Sequence, residues 1–164
     1  MRFFLGWLPA LLWLALVLGA SSDSFSATQT SRFFEPLLRW LFPHLSPWRV
    51  MQIHVFIRKG AHLTEYAILA ILVWRALRNS FWLGDPRIDG AQKRPWQWRP
   101  AFGALAATAF CAVADEFHQS FVPSRTSSAR DVALDICGAS LALLLLWAGF
   151  TLRRRAPAQA RVKV

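Results

Sequence analysis

Cysteine is scarce in this 164-residue chain: Cys111 and Cys137 both lie in apolar stretches and lack metal-ligand spacing. No disulfide framework follows, and buried thiols are the simpler interpretation. Acidic residues are also few, 9 against 19 Lys and Arg. The basic residues flank apolar segments and lie beside no recognisable nucleic-acid reader motif, which argues against a nucleic-acid partner. A serine nucleophile motif, a glycine-rich phosphate loop and a Walker lysine are all missing.

Apolar residues, in contrast, are abundant. They make up 55% of the chain, with a mean hydropathy of +0.31, above the roughly 45–50% of soluble domains. A hydrocarbon core of ~30 Å requires about 20 helical residues, and four segments approach that length: 3–20, 53–77, 100–119 and 132–152. We predict an all-α membrane protein with one domain over residues 1–164, a compact bundle of about four transmembrane helices.

The region between the first two apolar segments predicts a different kind of helix. Apolar residues recur at helical spacing from Phe33 to Phe42, which is typical of a short interfacial helix, here on the outer membrane surface. Pro43 and Pro47 then break it. The first segment has an alternative interpretation, a signal peptide cleaved near Ser21, but its apolar run is longer than the ~7–15 residues usual for such peptides.

The distribution of Lys and Arg predicts the orientation. Twelve lie at the N-terminus, in 75–99 and in the basic tail 153–164, against seven in the remaining flanks. Cytoplasmic flanks carry the excess of basic residues, so both termini and the tail are expected in the cytoplasm.

A set of polar residues lies where a membrane helix tolerates them least. Ionisable groups at membrane depth are energetically unfavourable and usually mark a functional site. Helical spacing places several of them on shared faces, between the midplane and the outer surface, and Gly138 allows a close approach beside them. An outward-facing polar cavity is therefore predicted from these residues: Arg58, Lys59, His62, Glu65, Tyr66, Asp115, Glu116, His118, Gln119, Arg125, Asp131 and Asp135.

Structural roles compete with this interpretation. Ser128 and Asp131 have the spacing of a helix capping box, and Arg58 with Lys59 could be interfacial side chains that extend to water. We expect Glu65 and Asp115 to lie near Arg58, Arg125 or a histidine, since unpaired charges at that depth lose their hydration. Weak candidates for metal ligands are also present, although the second helical His of the zinc protease motif is absent: His62, Glu65 and His118.

The motif Arg-Lys-Gly-Ala-His-Leu-Thr-Glu-Tyr at 58–66, followed by Asp-Glu-Phe-His-Gln-Ser-Phe-Val-Pro-Ser-Arg at 115–125 and by Asp131, Asp135 and Gly138, resembles the VanZ-like family of small bacterial membrane proteins. The likeness covers roughly 53–147, and the twelve polar residues match its pattern. The resemblance implies a bundle of about four helices in the bacterial inner (cytoplasmic) membrane. It also implies a role in glycopeptide resistance of the teicoplanin type. The resemblance does not indicate which reaction, if any, the protein catalyses.

Three functions follow as hypotheses. The favoured one is binding of an anionic lipid-linked or cell-wall precursor headgroup in the cavity, without a cofactor, where Arg58, Lys59 and Arg125 contact phosphate. The alternative is a membrane-embedded hydrolase or transferase that acts on lipid-linked substrates with the help of a divalent metal. His62, Glu65 and His118 would then bind the metal or act as acid and base. A proton-coupled carrier using Glu65 and the Asp115/Glu116 pair is disfavoured, because the segments show no internal duplication.

Overall fold

The computed structural model describes residues 2–21, 27–82, 96–121 and 128–160, with side chains described for 4–21, 34–80, 96–121 and 128–153. In these ranges the chain forms five helices and no strand: α1 (Arg2–Ala20), α2 (Ala27–Leu41), α3 (Pro47–Trp82), α4 (Trp98–Gln119) and α5 (Ala129–Ala160). The all-α prediction is confirmed. A helix, α2, lies where the short interfacial helix is expected.

Two helices are longer than the apolar segments that predicted them. α3 begins at Pro47, because proline is well suited to the first position of a helix. It includes a polar first half and ends at Trp82. α5 begins after Ser128, whose Oγ accepts a hydrogen bond from the backbone N–H of Arg130 at 3.1 Å, and it continues to Ala160, so the basic tail begins as helix.

Two of the described helices are long and apolar enough to cross a membrane: α4 and the Ala129–Arg153 part of α5. The apolar part of α1, Phe4–Ala20, is shorter. Polar residues in the first half of α3 lower its hydropathy. Length and composition alone therefore support two spans, and the expected four are not established by them.

α3 is the central helix of the bundle. It packs against α1, α2, α4 and α5, and α4 also packs against α5. The buried positions on α4 and α5 are largely small, including Ala104, Ala112 and Ala139, which lets helix backbones approach closely. One close approach is at Gly138 of α5, where an added Cβ would overlap the carbonyl oxygen of Leu63 on α3. This is the close contact expected at that glycine.

α1 is joined to α3 by two indole groups. The Nε1–H of Trp13 donates to the carbonyl oxygen of Glu65 at 2.9 Å, and that of Trp7 donates to Ser80 Oγ at 3.2 Å. Val17, one turn after Trp13, is fully buried. These contacts make α1 part of the bundle and bring its last turn beside the polar residues of α3 and α4.

An aromatic cluster lies away from the polar residues. Trp74 of α3 stacks on Trp96 with ring centroids 5.2 Å apart, and both rings contact Phe150 of α5. The Arg78 guanidinium lies 5.1 Å from the Trp74 ring and 4.9 Å from the Phe150 ring, a cation–π arrangement. Trp74 follows Tyr66 by two helical turns, about 12 Å along the axis. Aromatic packing therefore stabilises one end of the bundle, and the polar residues lie toward the other end.

Candidate functional site

An open cleft of about 200 Å³ lies between α3, α4 and α5. Most of its wall comes from one face of α3, because residues three and four apart along a helix point the same way. Both polar and apolar side chains line it: Met51, His54, Val55, Arg58, Lys59, His62, Glu116, Asp131 and Leu134. Five of the twelve predicted site residues therefore meet here: Arg58, Lys59, His62, Glu116 and Asp131.

Glu116 connects the end of α4 to the start of α5. Its Oε2 accepts a hydrogen bond from the backbone N–H of Ser128 at 2.9 Å, and the Glu116 side chain is buried. Ser128 is the N-cap of α5, and in a capping box its N–H would be bound by the residue three positions on, Asp131. Glu116 takes that place instead, and a carboxylate is favoured near a helix N-terminus.

Asp131 is consequently available to the cleft. Its Oδ1 lies 3.3 Å from Lys59 Nζ, with the Lys59 side chain 52% exposed and that of Asp131 28% exposed. Ion pairs this exposed contribute little to stability, about 0–1 kcal/mol. The pair can therefore open at small cost when another anion approaches Lys59.

Among the described residues, Arg58 is a cation of the cleft without an anionic partner. It is half-buried, yet within the described part of the chain it forms no ion pair and no hydrogen bond. His54, one turn earlier on α3, lies within electrostatic range of it and contacts the ring of Phe34 on α2. A half-buried guanidinium is expected to find an anion, so Arg58 marks where a ligand's negative charge would lie.

A second polar cluster lies inside the bundle, around Asp115. This side chain is 1% exposed, and its Oδ2 accepts three hydrogen bonds. The donors are Ser21 Oγ at 2.8 Å, Gln119 Nε2 at 2.9 Å and the Tyr66 hydroxyl at 3.2 Å. Charged partners were expected for Asp115; its donors among the described residues are neutral instead. Helices α1, α3 and α4 thus meet at one carboxylate oxygen.

Asp135 lies in the same interior, one turn after Asp131 on α5. It is also 1% exposed, and the charges of Glu116, Asp115, Asp131 and Glu65 act on it. The described bundle therefore holds a set of carboxylates that extends from the cleft into the core.

The remaining predicted residues are placed differently. His118 is exposed and does not line the cleft, because it is rotated by about 100° around α4 from the buried Gln119. Glu65 is half-buried, near Asp135 but outside the cleft wall. In the parts of the chain that the structure describes, no three His, Cys, Asp or Glu side chains are grouped as a metal ion requires, and the weak candidates His62, Glu65 and His118 are accordingly not grouped there. Arg125 lies outside the described residues.

Two contributors were not predicted. His54 lines the cleft four residues before Arg58, and this spacing could have identified it. Ser21 was assigned only to the end of the first segment, although its hydroxyl contacts a carboxylate 94 positions away. No local sequence pattern indicates a contact between residues so far apart in the chain.

The fold and site together define a class: an all-helical protein with membrane-length helices, an open cationic cleft and a buried network of carboxylates. Comparison with family models then gives the particular family. Residues 4–152 match the model of the VanZ/LLP1 family, and the chain belongs to it. The match includes α1 and α2, which lie before the 53–147 region of the resemblance. No curated protein and no solved structure is similar enough to count as a match.

Proposed function

We propose that this VanZ-family protein is an integral membrane protein of the bacterial envelope that binds the anionic headgroup of a lipid-linked cell-wall precursor in the cleft. The observation that carries the proposal is Arg58, a half-buried cation on the cleft wall without an anionic partner in the described chain. Lys59 stands beside it in an exposed pair that a stronger anion can displace.

The shape of the cleft supports an amphiphilic ligand. Its volume of about 200 Å³ is several times the roughly 30 Å³ that a water molecule occupies in the liquid, which leaves room for a phosphate group. Met51 and Val55 line the same cleft and are exposed, so a hydrocarbon tail can lie against them while the headgroup reaches Arg58. A phosphate suits the guanidinium because two parallel N–H groups can bind two of its oxygens.

In this proposal α1, α3, α4 and α5 cross the inner membrane and α2 lies on its outer surface. The proposal includes α1 as a retained helix, and the contacts of Trp13 with α3 and of Ser21, directly after α1, with α4 support this. Retention of a precursor headgroup in the cleft would contribute to glycopeptide resistance by keeping the precursor from the drug.

The proposed orientation predicts where reporter fusions are active. Reporters fused at Gln92 and after Val164 should both be cytoplasmic, because the basic segments that precede and contain these sites favour the inner side. Paired phosphatase and fluorescent-protein fusions measure this. An extracytoplasmic reporter at either position would overturn the orientation.

The ligand proposal predicts a loss of affinity when Arg58 is changed. Arg58→Gln should weaken binding of a polyprenyl phosphate roughly 10- to 100-fold, since a hydrogen bond to a charged group contributes about 1.5–3 kcal/mol. Arg58→Lys should also weaken it, because an ammonium lacks the planar pair of donors. The measurement is equilibrium binding of the lipid to the full chain in nanodiscs, followed by glycopeptide susceptibility of cells expressing each variant.

Arg49→Gln is the matched control. Arg49 is on the same helix, is exposed and does not line the cleft, so this change should leave affinity unaltered. The corresponding polyprenol, which has the same tail without the phosphate, should bind weakly to every variant. Equal affinity of the wild-type chain for phosphate and alcohol, or equal loss in the Arg49 and Arg58 variants, would contradict the proposal.

A further inference from the structure

Asp135 differs from every other buried polar group of the site in having no described partner. Its side chain is 1% exposed, its Oδ1 accepts no hydrogen bond, and it forms no ion pair in the described part of the chain. The charges that act on it are carboxylates from each helix packed around it: Glu65 on α3, Asp115 and Glu116 on α4, and Asp131 on α5.

Asp115 provides the contrast. It is equally buried, and its Oδ1 also accepts no hydrogen bond among the described residues, but its Oδ2 accepts three, from Tyr66 on α3, Gln119 on α4 and Ser21 directly after α1. Burying a polar group is unfavourable unless it is hydrogen-bonded, and these three donors meet that need at Asp115. An isolated carboxylate among like charges has no such compensation, and burying it ionised would be unfavourable by several kcal/mol. The described chain therefore compensates the burial of Asp115 and does not compensate the burial of Asp135.

We propose that Asp135 is a proton-binding site in the core of the bundle, holding its proton at neutral pH and exchanging it with the cleft past Asp131. A proton is the cation that a single carboxylate can hold, whereas a metal ion needs several ligands, and no three-ligand group is present among the described residues. In the exchange the Oδ–H bond of Asp135 breaks and the proton passes to a carboxylate oxygen of Asp131 or to water in the cleft. Asp135 is left ionised until a proton returns.

The route follows from helical geometry. Asp131 and Asp135 are four residues apart on α5 and so lie on one face, about 6 Å apart along the axis. Asp131 lines the cleft and is partly exposed, whereas Asp135 is enclosed. This arrangement adds a proton site to the ligand cleft and does not depend on what the cleft binds.

Infrared spectroscopy of the full chain in nanodiscs tests the proposal. At neutral pH the wild-type protein should show the carbonyl band of a protonated carboxylic acid, and this band should shift in D₂O. Asp135→Asn should remove the band and leave the thermal midpoint unchanged, because asparagine is a neutral isostere of the protonated acid. Asp115→Asn should keep the band and lower the midpoint, because an amide oxygen is a weaker acceptor for the three donors than a carboxylate oxygen.

Each other result counts against the proposal. Absence of the band in the wild-type protein would show that Asp135 is ionised, and its persistence in Asp135→Asn would assign the proton to another acid. Failure of Asp135→Asn to fold would show that asparagine is not a neutral replacement and would contradict the proposal. Stabilisation of the wild-type chain by sodium in the absence of the band would indicate a metal cation instead of a proton. Arg58→Gln should retain the band, so failure of the headgroup proposal and failure of the proton site remain distinguishable.

Discussion

Replacing Gly138 with alanine should lower the thermal midpoint of the protein more than alanine at any other glycine of the described helices. The new Cβ would overlap the carbonyl oxygen of Leu63 and lie 3.0 Å from its Cγ and 3.1 Å from its carbonyl carbon. Backbone atoms cannot rotate away as the end of a side chain can, so α3 and α5 must separate. Overpacking of this kind destabilises a protein by about 1–3 kcal/mol, and circular dichroism of the protein in detergent measures the loss.

The same change should also abolish ligand binding. Leu63 directly follows His62 on α3, so separating the helices there moves Lys59 away from Asp131 and opens the cleft between them. Gly138→Ala should therefore lose affinity for a polyprenyl phosphate even at temperatures where it remains folded.

Two other glycines provide graded controls. At Gly149, also on α5, an added Cβ meets nothing within 4 Å, and alanine should be neutral or stabilising by up to about 1 kcal/mol through helix propensity. At Gly103 the neighbour is Leu77 Cδ1 at 3.1 Å, the end of a flexible side chain that can move, so the effect should be intermediate. Equal midpoints for Gly138→Ala and Gly149→Ala would show that the close contact does not determine stability.

The helices were largely predictable because hydropathy and proline positions determine them. α4 begins at Trp98, two residues before the expected start, and ends at the expected Gln119. α3 and α5 were underestimated because hydropathy marks the part of a helix suited to lipid and gives no signal where a helix continues through polar residues. The same polar residues explain why α3 is not among the spans that length and composition support.

The candidate site was predictable where helical spacing alone determined it. Arg58, Lys59 and His62 line one cleft as their spacing on α3 indicates. On α4, spacing was less decisive: relative to Asp115, Gln119 is rotated by roughly +40° and His118 by roughly −60° at 3.6 residues per turn. The buried face includes Glu116, on the Gln119 side, and this turns His118 outward. From spacing alone, either His118 or Gln119 could share the buried face with Asp115. The packing of α4 determines that Gln119 does.

The partners of Asp115 were beyond prediction from the sequence. The depth of the residue in an apolar segment indicated that its charge needed compensation, and cations were the expected source. Three neutral donors serve instead, and they come from positions 21, 66 and 119. Their convergence depends on how α1, α3 and α4 pack, which no spacing within one helix encodes.

Replacing Asp115 with leucine should give a second large loss of stability. Leucine has a similar shape but accepts no hydrogen bond, so Ser21, Tyr66 and Gln119 would each keep a buried donor without an acceptor. Each unsatisfied buried group destabilises a protein by about 1–3 kcal/mol, and three of them approach the whole stability of many domains, about 5–15 kcal/mol. We expect low membrane abundance and an unfolding midpoint well below that of Asp131→Leu, which removes an exposed pair.

A double substitution separates lost hydrogen bonding from lost packing. Tyr66→Phe alone removes one donor of Asp115 and should be mildly destabilising. In the Asp115→Leu background the same change removes a donor that already lacks its acceptor, so it should cause no further loss and should restore part of the stability. If the two losses simply add, Asp115 and Tyr66 are not coupled, and the hydrogen-bonded carboxylate is not what holds α1, α3 and α4 together.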